Sequence, residues 1–543
     1  MGNSGRLGLS WINKDRSLIS APNGGYEWID RDDFRVTETR LLQNVASVGE
    51  VNDEGKRAQD NLLIAGDSAD ALRSLTRLPE FADVYQGKVK LVYIDPPFNT
   101  GQAFTHYDDG LEHSVWLTMM RDRLLLIRDL LAPDGSVWVH LDDAEMAYCK
   151  VLMDEVFGRP NFVSTVVWEK TTSARNDARL FSTDQDYLLV YSRNPDSFKP
   201  RKVAHTAAAD KAYKNQDNDP RGPWREVDYK CPKTADERPN LYYPIVHPFT
   251  GKEVWPRRER VWAYGKDEYE RHVAEGLLFW GKTGNYSFPK LKKFLTDRRA
   301  DGTPPRTLWP TSEVDQSRTA KAESKKLFDG GTPFTTPKPE RLLQRVIHLA
   351  TEPGDIVLDC FGGSGTTAAV AHKMERRWVT VEREVETVQA FIRPRLEKVV
   401  NGEDSGGISE SVGWEKGGGF RHLQVSPSMY EYAAGRVLLA PWVVEASFCE
   451  AACAQMPGFA MDLAPEPPFV GRKGRQRLAV IDGLVTESSV QAIVDRLEED
   501  ERVVIIGKSY LREASQLLAS ISPGSRIKKA PHDLLDMKGR VLR

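Results

Sequence analysis

The chain has 543 residues, 28% of them charged and 40% hydrophobic, with a formal net charge of −3. At roughly 100–200 residues per domain there is room for several domains, and this apolar content excludes a mostly disordered chain. The absence of a long apolar run excludes a membrane-spanning helix, and five scattered cysteines without a CxxC pair exclude a disulfide framework and a zinc knuckle, so no metal site is expected. The first 17 residues carry no apolar core of a secretory signal, which sets the expectation of a reduced, cytoplasmic protein.

Residues 1–58 are polar, lack a convincing period and read as an N-terminal extension. Regular structure starts at 61–67, a short buried-strand run stopped by Gly66-Asp67, followed by a helix over 68–78. Residues 89–94 form a second apolar strand ending on Asp95-Pro96-Pro97-Phe98, where two prolines force a turn. Leu117, Met120, Leu124, Ile127 and Leu131 share one helical face. A strand at 136–141, a helix at 143–157 and strands near 163–169 and 186–192 follow. This alternation predicts an α/β fold with a doubly wound parallel sheet, its first half spanning 59–200.

Between 201 and 330 the alternation stops, and this segment reads as an inserted domain. It holds 26 Lys+Arg against 19 Asp+Glu in an otherwise acidic chain, with five tryptophans and seven tyrosines. That mixture suits a nucleic-acid surface, or equally a Trp-rich domain with solvated charges. Alternation resumes over 331–403: a helix after Pro339 with Leu342, Leu343, Val346, Ile347 and Ala350 on one face, a strand at 356–359, a glycine loop at 362–365, a helix from Thr366 and a strand at 378–382. Residues 404–424 read as a Gly-rich linker. Residues 425–543 read as a small separate α/β unit, with strands at 477–481 and 502–506.

Two motifs carry chemistry. In Val357-Leu-Asp359-Cys-Phe361-Gly-Gly363-Ser-Gly365-Thr366-Thr367, glycines between a strand and a helix allow a ligand close to the backbone. Glu382 ends the next strand, at a spacing that suits a carboxylate gripping ribose hydroxyls. Neither G-x-G-x-x-G nor G-x-x-x-x-G-K-[ST] is present, so the expected ligand is a nucleoside without phosphates. S-adenosylmethionine (AdoMet) fits. The second motif, Asp95-Pro96-Pro97-Phe98, stands at a strand's carboxyl end, where open α/β sheets bind ligands. Asp95 and the Pro96 carbonyl can accept hydrogen bonds from an –NH2 group, Pro97 holds the turn, and Phe98 can stack on a flat ring.

Together the motifs resemble the amino-DNA methyltransferases, which pair a [DNS]-P-P-[YFW] motif with a D-x-F-x-G-[ST]-G-T-like AdoMet motif. The order found here resembles their circularly permuted β-type, with target recognition between the motifs. Residues 61–72 look like the family's adenine-ring motif, with Asp67 as its acid. The stretch Thr336-Pro-Lys338-Pro-Glu340 looks like the motif bordering the methionine tail. Over roughly residues 60–425 the chain is similar to the Mod subunits of type III restriction–modification systems, with Phe98 where many of them have Tyr.

The resemblance implies transfer of a methyl group from AdoMet to N6 of adenine in duplex DNA, with Asp95, Pro96, Pro97 and Phe98 catalytic. Asp67, Lys338, Asp359, Phe361, Gly363, Gly365, Thr366 and Glu382 would bind the cofactor. Cytosine-N4 transfer, a non-catalytic DNA-specificity subunit and RNA methylation are the alternatives. Cytosine-C5 chemistry is excluded because no Pro-Cys pair exists. The expected partners are double-stranded DNA, a second copy in a homodimer, and a separate ATP-dependent motor or nuclease subunit, since the chain has no phosphate loop of its own. The expected setting is restriction–modification or phage defence, with no membrane partner.

Overall fold

The computed structural model describes residues 8–535, apart from 21–25, 100–102, 105–106, 109–111, 175–179, 205–209, 298–301, 329–333 and 463–465. Two compact units are present: residues 1–199 with 306–543, and Pro200–Pro305.

The large unit is organised by one ten-stranded sheet. Its strands in chain order are β1 (Leu42–Gly49), β2 (Asn61–Ala65), β3 (Val89–Ile94), β4 (Leu131–Leu141), β5 (Phe162–Glu169), β6 (Gln185–Ser192), β7 (Leu308–Trp309), β8 (Ile356–Asp359), β9 (Arg377–Glu382) and β10 (Gly419–Val425). Across the sheet the order is β7-β5-β6-β4-β3-β8-β9-β2-β10-β1. The six strands from β4 to β10 run parallel. Their middle residues, such as Leu91, Val92, Leu358, Val379 and Leu62, are buried, as two covered faces require. Helices α1 (Ser68–Arg77), α2 (His113–Leu130), α3 (Met146–Phe157), α4 (Glu340–Ala350) and α5 (Thr366–Lys373) alternate with the strands. The predicted doubly wound α/β sheet is present.

The crossing point explains the site. Strand β8, from late in the chain, inserts between β3 and β9, with Val357 opposite Leu91 and Leu358 opposite Val92. The Asp95 turn and the glycine loop therefore leave the same sheet edge side by side, where doubly wound sheets place ligands.

Four boundaries differ from the sequence expectation. Residues 404–424 are no linker. Gly419–Val425 forms β10, inside the sheet, with Phe420 and Leu423 fully buried. Gly407 is there for close packing: a β-carbon would sit 2.0 Å from the Glu340 carboxylate. Gly/Ser composition signals flexibility only where nothing restrains the backbone, and here Gly407 stands against Glu340 and Gly419 against Val48 and Glu50. Residues 306–330 belong to the large unit, since Leu308 and Trp309 pair with Val167 and Trp168. The N-terminal 58 residues are no mere extension: they supply β1 and a hairpin pairing Arg16–Ser20 with Tyr26–Asp30.

The C-terminal region is likewise not separate. It has its own five-stranded sheet and core, including Ala479, Val503, Ile505 and Leu518. Yet Met429, Tyr430, Phe448 and Met456 belong to the same apolar core as Leu62 and Leu72. Gln455 brackets Thr39, accepting from its N–H (3.2 Å) and donating to its carbonyl (2.9 Å).

The small unit has a three-stranded antiparallel sheet in the order Trp224–Asp228, Lys290–Phe294, Leu278–Phe279, and a helix at Lys266–Ala274. Its tryptophans are mainly core: Trp224, Trp262 and Trp280 are buried. Its exposed aromatics are Phe249 and Trp255. Among the described residues, no helix is long and apolar enough to cross a membrane.

Candidate active site

An open cleft at the carboxyl ends of β3, β8 and β9 encloses about 1130 Å³ up to its mouth. Asp95, Pro97, Lys338, Asp359, Phe361, Gly363, Thr366 and Glu382 all line it. Eight of the twelve residues singled out in the sequence thus converge on one surface, although almost 300 positions separate the first from the last.

Each acid is held differently. Asp359 ends β8 and accepts from Thr367 Oγ1 (2.6 Å) and the Phe361 N–H (3.0 Å). Burial, opposed by these hydrogen bonds and joined by repulsion from Asp95 and Glu382, pushes its carboxyl up to about 8. Glu382 ends β9 and accepts from the N–H groups of Gly363 (2.8 Å) and Glu384 (3.0 Å); burial raises its carboxyl as well. Neither acid has a cationic partner among the described residues. Asp95 is paired through Oδ2 with the Lys338 ammonium, while its buried Oδ1 has no hydrogen-bond partner among the described residues.

The glycine loop is shaped around Glu382. Gly363 has φ +51°, and its N–H is committed to that carboxylate. A β-carbon there would be in ordinary contact with Phe334, at 3.6 Å, and the Phe361 carbonyl, at 3.9 Å. The tight position is Gly362, where a β-carbon would sit 2.8 Å from Thr380 Oγ1. Gly365, at φ +73°, caps α5. Thr366 is buried beside it, accepting from Arg395 (2.8 Å).

Three of these residues have partners within the chain. Asp67 does not line the cleft: it caps α1 through the Ala69 N–H (2.7 Å) and pairs with Arg123 (2.8 Å). Burial favours its neutral form, but Arg123 and the cap outweigh that and lower its carboxyl. Its neighbours Ser68 and Arg123 reach the cleft instead. Lys338 sits on Asp95. The Pro97 carbonyl is taken by Trp116 Nε1 (2.7 Å), while Pro96 is buried in the turn.

Beneath Phe98 lies a network that the sequence reading missed. The His140 ring stacks on Phe98, with centroids 5.9 Å apart and planes 27° apart. His140 is fully buried, and burial with the nearby Lys338 charge lowers its pKa. The neutral ring then donates from Nε2 to Asp186 (3.3 Å) and accepts at Nδ1 from the Tyr93 hydroxyl (2.8 Å). Asp186 holds at about 2 against burial through His140 and Lys170. A histidine inside an apolar strand run was the available signal. Tyr26, from the supposed extension, also reaches the cleft and accepts from Arg383 (3.1 Å).

The donor set defines the ligand. Two acids without cationic partners, a loop N–H already spent on a carboxylate, and aromatic walls at Phe361 and Phe334 suit a cationic, hydroxyl-bearing, ring-containing molecule. They do not suit a phosphate, which needs free N–H groups and cations. AdoMet, with its sulfonium, ammonium and ribose hydroxyls, fits. Among the described residues, no group of three or more His, Cys, Asp or Glu is arranged to hold a metal ion.

The comparisons define the class. The family model for DNA methylase matches residues 89–393, more than half of the chain, and the chain belongs to that family. It is 30% identical over 436 residues to the probable type III restriction-modification enzyme HindVI Mod subunit of Haemophilus influenzae, covering 70% of this chain and 56% of that one. It is 33% identical over 337 residues to the type III StyLTI Mod subunit of Salmonella typhimurium, covering 57% and 49%. Against the type II methyltransferase M.EcaI of Enterobacter cloacae it is 29% identical over 304 residues, covering 54% and 62%. The chain spans about half the length of these curated relatives.

Proposed function

We propose that this chain transfers a methyl group from AdoMet to the N6 amino group of adenine in duplex DNA, as part of a restriction–modification or other phage-defence system. The observation that carries this reading is the adjacency of Asp95 to the Asp359–Glu382 cleft on neighbouring parallel strands. A cofactor cleft and an amine-binding turn share one opening. The Mod subunits and the methyltransferase named above support the assignment.

AdoMet, when bound, supplies an electrophilic methyl carbon on a positively charged sulfur. Glu382 would accept from the ribose hydroxyls, while its bonds from the Gly363 and Glu384 N–H groups fix the loop. Asp359 faces the cationic portion, Phe361 and Gly363 shape the wall, and Gly365 with Thr366 sets the entry to α5. Asp67 acts at one remove, by anchoring Arg123. The Asp95 carboxylate accepts one N6–H of an extrahelical adenine and the Pro96 carbonyl the other, with Pro97 holding the turn. These bonds localise the nitrogen lone pair, and the carboxylate stabilises the positive charge developing on nitrogen. Bound there, AdoMet would supply the methyl carbon for N6 and a sulfur that leaves with the electron pair, and the proton shed by N6 would pass by way of the Asp95 carboxylate to solvent. Phe98, backed by His140, stacks on the base and offsets part of its unstacking cost of a few kcal/mol.

Residues 200–305 read the target. They carry 21 Lys+Arg against 15 Asp+Glu, with Phe249 and Trp255 exposed. Basic side chains would set affinity through phosphates, and base-edge contacts would set the site. A second copy and a separate ATP-driven nuclease subunit complete the system.

Methylation-aware sequencing of DNA from cells expressing the chain tests the whole reading. Modified adenine in one sequence motif is the expected result; modified cytosine would move the assignment to N4 transfer, and unmodified DNA would remove it. Exchanging residues 200–305 for those of a relative with another target should transfer the motif, and a folded chimera that keeps the original motif would overturn the recognition role.

A further inference from the structure

Lys338 holds two contacts that the target base itself would need. Its ammonium lies on Asp95 Oδ2 and 5.0 Å from the centre of the Phe98 ring. A positively charged nitrogen against the carboxylate and over the aromatic ring reproduces what an adenine amine does there: donate N–H to Asp95 and lie on Phe98. The side chain is only 13% exposed and comes from a loop segment with proline on either side, Pro337 and Pro339. The ammonium is therefore delivered to this spot by a stiff segment.

From this geometry we infer that Lys338 is a placeholder for the target amine, closing the Asp95–Phe98 turn so that base entry requires its departure. The inference rests on the methyltransferase reading above. The rest of the cleft supplies the means of release. Lys338 lines the same opening as Asp359 and Glu382, the two acids without cationic partners. A cleft ligand bearing its own carboxylate, as AdoMet does, offers the ammonium another anion and frees Asp95. The order of events follows: a cofactor-free protein binds DNA with its target base still stacked, and cofactor binding opens the turn.

The test uses a duplex carrying 2-aminopurine at the target adenine, whose fluorescence rises when that base leaves the stack. Full-length wild-type chain without cofactor should leave the signal low, and adding S-adenosylhomocysteine should raise it. Lys338→Met without cofactor should raise the extrahelical population about tenfold over wild type. Lys338→Arg, which keeps a cation, should stay low. A Lys338→Met protein that binds the duplex with wild-type affinity and keeps its wild-type melting temperature, yet shows no rise, overturns the placeholder role. If Lys338→Met fails to fold, Lys338→Gln takes its place with the same two outcomes. Wild-type methylation of the unlabelled duplex is measured alongside: its absence overturns the methyltransferase reading, whereas methylation with an unchanged Lys338→Met signal overturns the placeholder alone.

Discussion

Two clusters of buried charge surround helix α5 and follow different plans. In one, Lys373 is buried against Glu340 (2.8 Å) and Asp404 (2.7 Å), and Arg395 adds a second cation on Glu340 (2.8 Å). Two acids meet two bases, and every charge has its opposite. In the other, Asp359 is as deeply buried and Glu382 half-buried, yet both are satisfied only by N–H groups and one hydroxyl. The first cluster ties the segment around Asp404–Ile408 to the start of α4, with the Ile408 N–H also donating to Glu340 (3.0 Å). The second faces the cleft. A buried charge with its counterion in the chain is scaffold; a buried acid without one is held ready for a counterion from outside.

That contrast can be broken at either cluster. Lys373→Met leaves Glu340 and Asp404 short of a cation in a sealed site. It should cost about 3–5 kcal/mol of stability, read from urea unfolding, with AdoMet affinity unchanged in the fraction that folds. An unaltered midpoint would show that the paired cluster is dispensable. Asp95→Ala should act mainly on the chemistry: methyl transfer falls by roughly 10²–10³-fold while calorimetric AdoMet affinity holds, and loss of the ion pair with Lys338 lowers the melting temperature by less than Lys373→Met does. Near-normal turnover in this variant would remove Asp95 from the chemistry.

Glu382→Ala should weaken AdoMet binding by about 10–100-fold, through loss of charged hydrogen bonds and of the anchor for Gly363, with DNA affinity spared. Asp359→Asn carries the smallest effect and the most specific signature. Unfolded, this carboxyl ionises near 3.8; folded, it holds its proton to about 8. Between those values the folded chain keeps a proton that the unfolded chain releases, so stability falls as pH climbs through the window. Asparagine removes that penalty. The cofactor-free variant should therefore be more stable by roughly 1–2 kcal/mol at pH 7, with the gain shrinking toward pH 4. Melting curves across pH check it, and a gain independent of pH would contradict the proposed cause.

The sequence revealed the site better than it revealed the scaffold. Asp95 and the glycine loop were legible because each interrupts a strand with residues that strands avoid, and doubly wound sheets bind ligands at such breaks. Strand β10 was not legible: its preceding glycines imitate a linker, and only the walls around Gly407 show that they serve packing. His140 was hidden by the opposite cause. One polar residue in an apolar strand is noticed only once Phe98, Tyr93 and Asp186 are seen to surround it. Asp67 was assigned to a ligand although its sequence position, one residue before a helix, already fits a cap.

Strand β2 has a consequence for how the chain is made. Asn61, its first residue, bonds through its side chain to the Trp378 N–H and the Gly419 carbonyl, 317 and 358 positions onward. Its two strand neighbours, β9 and β10, come from the same distant regions. At about 5–20 residues per second, β2 leaves the ribosome tens of seconds before either neighbour exists. Leu62, Leu63 and Ile64 must spend that interval unpaired, as an apolar strand with both edges open. Synthesis rather than refolding is then the vulnerable period of this protein's life. A nascent chain stalled before residue 419 is the species that chaperones would have to hold.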